Sequence, residues 1–327
     1  MHKVMDAGAF YDLDLLMEAD ASFDKSAYLS AIFDGGVYQG KRQCVPLMYT
    51  PAYVYAERAV LEAKGITLSE HPDFAEWSAA LVRYAESHTL EENRQMFDNI
   101  YPRFDFFLVH SGLQILDYET KEILVESEEF RQFMEFFKVM YPFSCTSLEG
   151  KYPWRVGAFQ DIISKLLTGE LLFDITTSEA YIFETHLSDR EDSIRTDTLF
   201  SFPRFQGGKT IGMGMNFAAV NSASPNKANA YAFLKLLLSD KVLTKNSVMP
   251  VLKSAMALQT SQDLVRDLEG ENATGLGYTQ GLEYYRNYSA QVIDLVYQEM
   301  LPYFEDQQPY DACLAKLKSQ LELYLYE

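Results

Sequence analysis

The stretch Gly207–Asp240, GGKTIGMGMNFAAVNSASPNKANAYAFLKLLLSD, limits most strongly what this chain can fold into. It reads as a glycine-broken loop, a short strand at Phe217–Val220 and a helix. Ser224 suits an N-cap, because a hydroxyl can accept a bond from a free backbone N–H of the first turn. Pro225 fits the first helical position, where its missing donor costs nothing. Ala230, Phe233, Leu234, Leu237 and Leu238 recur at helical spacing and predict one apolar face that must be buried. A loop, a strand and a capped helix in succession demand α/β architecture.

The rest of the chain repeats that alternation. Helices are predicted over 24–35 with Tyr28, Ile32 and Phe33 inward, and over Ala56–Lys64, stopped by Gly65. Another starts at Pro72-Asp73 with Phe74, Trp77, Ala80, Leu81 and Tyr84 on one face, and Thr89 with Glu92 forms a capping box. Ser127 caps a helix that turns Phe130, Phe133, Met134, Phe137 and Met140 inward. Further helices are predicted over Gln160–Leu167, 281–302 and 309–326. Strands are predicted at Val45–Tyr49, continuing through Tyr53–Tyr55, at Phe104–Val109 and at Leu171–Ile175, with hairpins at Val37–Lys41 and around Asp117. Such a pattern predicts open, mainly parallel sheets with helices on both faces. Ligands bind outside the carboxyl ends of the strands in sheets of this kind.

Charge and motif content exclude several function classes. Asp and Glu number 47 against 28 Lys and Arg, for a net charge of −19. Phosphates need cationic side chains, so nucleic acid is excluded as the main partner, and an anionic membrane surface is disfavoured. Cys44, Cys145 and Cys313 are far apart and lack metal spacing, which predicts free thiols. His2, His71, His88, His110 and His186 show no zinc-binding spacing, and no nucleophile elbow is present. Gly207-Gly208-Lys209-Thr210 resembles the tail of a phosphate loop, but Pro203 stands where its first glycine belongs. Gly212-Met213-Gly214 is half a dinucleotide fingerprint, followed by a strand instead of a helix. No metal site is expected from these spacings. No run reaches the roughly 18 apolar residues of a membrane span, and the first residues hold no signal-peptide core.

Strand ends carry the candidate ligand chemistry. Tyr49-Thr50 follows one predicted strand, and Thr176-Thr177-Ser178-Glu179 follows another. Hydroxyls and a carboxylate are costly to bury unpaired and suit a polar ligand, although turn capping accounts for them equally well. Trp154 is either a core plug or a platform for a sugar ring. A distant carboxylate pair could hydrolyse glycosides, but no local motif supports one.

Five pieces, in order, resemble the extracellular solute-binding proteins of ABC importers, the maltose-binding-protein type. They are Asp6-Ala7-Gly8 to Leu13-Asp14, Gly40-Lys41 to Leu47, Thr168-Gly169-Glu170 to Ile175, Val220 to Ser239 around Ser224-Pro225-Asn226-Lys227, and Tyr303-Phe304 to Glu327. The resemblance implies a two-lobed, hinged α/β fold of the periplasmic-binding-protein-like type II. One lobe would hold 1–49 and 218–280, lacking the family's N-terminal strands, and the other 50–217 and 281–327. It implies no catalysis and no cofactor, and a small solute, a sugar or sugar derivative, bound in an inter-lobe cleft. The ligand contacts it implies are Tyr49, Thr50, Tyr101, Arg103, Trp154, Thr177, Ser178, Glu179 and Tyr181, with Gly214 and Asn216 in a mobile loop Gly212–Asn216. Glu179 stands where the family commonly has an aromatic. The implied partner is an ABC permease, the implied state a monomer, and the implied location extracellular or a cell-surface lipoprotein. Two alternatives are a sensor of the same fold acting on a receptor kinase and a glycosidase using a carboxylate pair.

Overall fold

Polar caps and left-handed turns punctuate the chain. The computed structural model describes residues 2–69, 72–93, 96–97, 104–143, 159–177, 199–205, 211–246, 250–256, 283–284 and 290–326. Helix α1 (His2–Asp6) is followed by α2 (Leu13–Glu18), capped by Asp12 Oδ1, which accepts from Asp14 N at 3.1 Å. Helix α3 (Ser30–Phe33) leads to a hairpin of β1 (Val37–Tyr38) and β2 (Lys41–Arg42). Its turn residues Gln39 and Gly40 have φ of 50° and 71°, the left-handed pair a two-residue turn needs. Next come β3 (Met48–Tyr55), α4 (Arg58–Ala63), α5 (Phe74–Ser87), α6 (Leu90–Asn93) and α7 (Phe104–His110). A second hairpin, β4 (Leu116–Asp117) and β5 (Glu122–Ile123), leads to α8 (Glu128–Met140) and α9 (Phe159–Thr168). Strands β6 (Asp174–Thr177), β7 (Leu199–Ser201) and β8 (Ile211–Met215) precede α10 (Lys227–Leu237), α11 (Asp240–Asn246) and α12 (Lys253–Met256). Strand β9 (Glu283–Tyr284) and helices α13 (Ala290–Phe304) and α14 (Tyr310–Tyr326) follow.

The chain divides into two compact units. The first is Met1–Ala52, Thr177–Ser193 and Lys209–Arg286. Within it the opening half of β3 pairs antiparallel with β8, from Met48 opposite Met215 to Pro51 opposite Gly212, and β8 pairs parallel with β9. Val45 and Ala218 exchange two backbone bonds of 2.9 Å just beyond that ladder. Arg42 is only 5% exposed, and a buried guanidinium is costly unless its donors are met. Its Nε donates to Asp14 Oδ1 at 2.8 Å, Nη2 to Asp34 Oδ1 at 2.7 Å and Nη1 to Phe33 O at 2.6 Å. One side chain thus ties the β1–β2 hairpin to α2 and α3. A Cβ on Gly36 would meet Cys44 O at 1.7 Å, so the backbone there closes only around a hydrogen.

The second unit is Tyr53–Thr176, Ile194–Gly208 and Asn287–Glu327. The closing half of β3 pairs antiparallel with β7 there. The core is aromatic. Wholly buried Trp77 has the rings of Phe97, Phe107, Phe136, Phe173 and Phe202 between 5.6 and 6.0 Å away, mostly edge to face. Such geometry suits the ring quadrupoles. Helices α13 and α14 pack on each other, and α13 packs on α8. Arg131 and Lys138, two turns apart on α8, lie over Tyr310 and Tyr303 at 4.1 and 4.3 Å. They also pair with Asp311 and Asp306.

Several sequence expectations hold. The hairpins at 37–41 and around Asp117 form, and Asp117 Oδ1 accepts from Glu119 N and Thr120 N. Thr89 and Glu92 close a capping box through Thr89 N to Glu92 Oε2 at 2.8 Å. The inward faces of α5 and α8 are buried as expected, and Cys44 and Cys313 are free buried thiols. Cys145 lies outside the described residues.

Others are corrected. Phe104–Val109 is helical, not a strand. Its apolar run fits either period, and the helix buries Phe104, Phe107 and Leu108 together while His110 Nδ1 meets Phe106 O at 2.9 Å. The strand in the 207–240 stretch is Ile211–Met215, upstream of Phe217–Val220, where Ala218 makes an isolated bridge with Val45 and Val220 O accepts from Tyr11 N at 2.7 Å. Asn226, not Ser224, is the N-cap of α10. Ser224 Oγ instead accepts from Asn226 N at 3.1 Å, a local turn that delays the helix. Phe233 is 61% exposed, because Tyr231, Leu234 and Leu238 form the face that is buried. The predicted strand over Leu171–Ile175 begins only at Asp174. Antiparallel pairs prevail over parallel ones among the described strands: the short turns force the β1–β2 and β4–β5 pairs, and β3 runs antiparallel to both β7 and β8.

Candidate functional site

Strands β3 and β8 bring together several of the expected ligand residues within the first unit. Tyr49 stands directly opposite Gly214, and Thr50 opposite Met213. Directly opposed residues share a face, so Tyr49 and Gly214 occupy one face of the ladder, and Met48 and Met215 the other. A glycine opposite an aromatic leaves room beside the ring, and both Tyr49 and Gly214 are buried. Leu47 N donates to Met215 O at 3.2 Å, and Val251 N to Leu47 O at 3.3 Å, so the start of β3 is bonded to segments on both sides.

Asn216 ends β8. Its φ of 53° is left-handed, a region asparagine tolerates better than most residues, and its side chain is exposed. Its Nδ2 lies 3.0 Å from Met48 Sδ, a weak acceptor that leaves amide capacity for another partner. Thr177 is the last residue of β6, the strand next to β3 in the sheet order. Tyr101, Arg103, Trp154, Ser178, Glu179 and Tyr181 lie outside the described residues.

The segment Gly212–Asn216 is therefore not a mobile loop. Ile211–Met215 is a paired strand, and only Asn216 departs from extended backbone. The signal that could have revealed it was the apolar run Ile-Gly-Met-Gly-Met, whose glycines read as flexibility but sit in a strand against Pro51 and Tyr49. Sequence reasoning also missed Met48, which is buried and holds the Asn216 amide.

The electrostatics fit binding by neutral groups. Perturbed titrations in the first unit have structural causes. Burial works to raise the Asp14 carboxyl, but hydrogen bonds from Lys25 and Arg42 hold it below the usual range. Bonds from Lys235 and Ser22 keep Asp20 well below it. Burial pushes the Cys44 thiol and the Tyr28 phenol up to about 12. None of these groups is poised for proton transfer near neutrality. Among the described residues, no three His, Cys, Asp or Glu side chains gather to hold a metal. The end of the β3–β8 ladder offers the exposed Asn216 amide, which can bond an uncharged polar molecule.

No family model matches the chain, and no curated protein matches it in sequence. Solved structures do match in fold. The sugar-binding protein MalE from Xanthomonas citri superposes with a TM-score of 0.67 at 13% identity, over 98% of this chain and 80% of that one. The cyclic α-maltosyl-1,6-maltose binding protein from Arthrobacter globiformis gives 0.63 at 15% identity, over 99% and 82%. An ABC transporter solute binding protein from Thermotoga lettingae, bound with α-D-tagatose, gives 0.61 at 12% identity, over 98% and 82%. This chain has the fold of these solute-binding proteins.

Proposed function

We propose that this chain binds a sugar or sugar derivative outside the cytoplasmic membrane and hands it to the permease of an ABC importer. The observation that carries the reading is the shared fold over 98–99% of the chain with proteins described as binding an oligosaccharide and a ketose. The exposed, uncharged Asn216 amide at the end of the β3–β8 ladder supports it, because an amide can both donate to and accept from sugar hydroxyls. The two compact units are proposed as the two lobes of a type II binding protein. Tyr49, Thr50, Thr177, Gly214 and Asn216 are proposed ligand contacts, with Tyr101, Arg103, Trp154, Ser178, Glu179 and Tyr181 completing the set.

Calorimetry and thermal shift with maltose, a cyclic maltosaccharide, tagatose, short peptides and polyamines test the reading. Saturation with a true ligand at a hundredfold excess over Kd stabilises by about 2.7 kcal/mol, an easily read shift. Asn216→Gly keeps the left-handed backbone and removes the amide. Losing one hydrogen bond of about 0.5–1.5 kcal/mol should weaken sugar affinity roughly threefold to tenfold. Binding of peptides or polyamines but no sugar overturns the proposal, as does silence across the panel.

A further inference from the structure

We propose that the groove between the β4–β5 hairpin and the last turns of α14 binds a small aromatic monocarboxylate. Strand β5 packs on α14, and the two leave a groove of about 750 Å³. That volume lies in the range of small-molecule sites. Lys121, Ile123, Lys318, Glu322, Leu323 and Tyr326 line it. Buried Leu317, Leu321 and Tyr324 hold α14 to its own unit. Leu323 and Tyr326 are left 55% and 76% exposed, and with half-buried Ile123 they give the groove an apolar wall. All these residues belong to the second unit, whereas Tyr49, Thr50, Gly214 and Asn216 belong to the first. The groove is therefore separate from the proposed sugar contacts of the β3–β8 ladder.

Charge and backbone geometry identify the occupant. Lys121 closes the hairpin turn at φ of 58°, a left-handed conformation that glycine adopts with less strain. A lysine held there carries a local backbone cost, and such costs cluster at binding sites. Its Nζ lies 5.4 Å from the centre of the Tyr326 ring. Lys25, Arg42, Arg131, Lys138, Lys235, Lys316 and Lys318 each have a carboxylate partner, but no carboxylate among the described residues lies within ion-pair distance of Lys121. Lys318 Nζ is taken by Glu126 Oε2 at 2.7 Å and also feels the Glu322 charge one turn on. The open donor capacity of the groove is thus the Lys121 ammonium, set beside an exposed aromatic ring. A carboxylate can accept from Nζ while its aromatic body lies against Tyr326 and Leu323, where offset ring packing is favourable. Glu126 and Glu322 set the charge that is tolerated. A monoanion gains more from Lys121 than it loses to them, whereas a dianionic phosphate ester meets twice the repulsion.

Calorimetry on the full chain at low salt, comparing 3-phenylpropionate with its neutral isostere 3-phenylpropionamide, tests the assignment. The carboxylate is expected to bind at least about fivefold more tightly, because only it makes a charge-assisted bond to Lys121. Added salt should shrink that advantage, since the site is open to solvent. Lys121→Gly suits the left-handed turn and removes the ammonium. It should leave the melting temperature no lower and bring the two probes to equal affinity. Lys121→Arg should keep the preference for the carboxylate, and Tyr326→Ala should weaken both probes. No saturable binding of the carboxylate, equal affinity of the two probes for the wild-type chain, or a preference that survives Lys121→Gly overturns the proposal. If no sugar binds the wild-type chain, the solute reading fails, whereas the probe comparison still decides this groove.

Discussion

Helix α8 in the second unit and helix α10 in the first carry similar apolar content but bury it differently. Helix α8 hides Phe130, Phe133, Met134, Phe136, Phe137 and Met140. Helix α10 hides Tyr231 and Leu234 and leaves Phe233 and Leu236 outside. The difference lies in their neighbours. Helix α8 has α5 and α13 packed against it, whereas α10 packs on α2 and α11. The units differ in the same sense. Interlocked rings fill the second, while a buried Arg42 with Asp14 and Asp34 ties the elements of the first. Periodicity thus reports that a helix has apolar faces, but not how many of them a partner will cover.

Substitutions can break or sharpen that contrast. The largest effect is expected at Phe133→Ala, where a wholly buried ring leaves a cavity. Stability measured by urea unfolding should fall by about 3–5 kcal/mol. Leu234→Ala on the buried stripe of α10 should cost about 2–4 kcal/mol, less because one side of that helix faces water. An equal or larger cost than at Phe133 would erase the contrast between the helices.

Acid titration separates the two kinds of core. Asp14 has a folded pKa below its unfolded value, so its contribution is present above the unfolded value of about 3.9 and is lost as pH falls through the folded one. The urea midpoint should therefore drop as pH is lowered below about 4. Asp14→Asn should lower the midpoint at pH 7 and flatten that acid limb. An unchanged acid limb would mean the ion network does not hold the first unit together.

Caps give a smaller effect. Ser127→Ala removes the bond from Phe130 N to Ser127 Oγ at 3.2 Å and should cost about 1 kcal/mol. Ser224→Ala should cost less, because Ser224 bonds a turn instead of the helix. The smallest effect belongs to Phe233→Ser, expected within about 0.5 kcal/mol of wild type because the ring is mostly in water. A loss of about 2 kcal/mol there, the scale of burying such a side chain, would show that the ring is covered.

Most of the local structure was legible. Asp73, Ser127 and the Thr89–Glu92 pair start helices because their side chains meet first-turn donors, and Gly65 and Gly169 end helices at φ of 75°. The candidate site was legible only in outline. Tyr49, Thr50 and Gly214 were named, but they were assigned to a strand end and a mobile loop, whereas they lie in paired strands. Glycine at 212 and 214 could not be read correctly because a glycine in a loop and one opposite a ring look alike until the partner strand is known.

The sequence by itself determined where the caps, hairpin turns and amphipathic helices stand, since these depend on residues within a few positions of one another. It also determined the strongly acidic balance of the chain, which is a matter of composition. Only the tertiary structure decided that Phe104–His110 is a helix, that β8 pairs with β3 upstream of the expected strand, and that Phe233 faces outward. Each of those depends on which distant segment covers an apolar surface. An apolar run is drawn out of water equally in either secondary structure and on either face, so the choice belongs to the partner that packs against it.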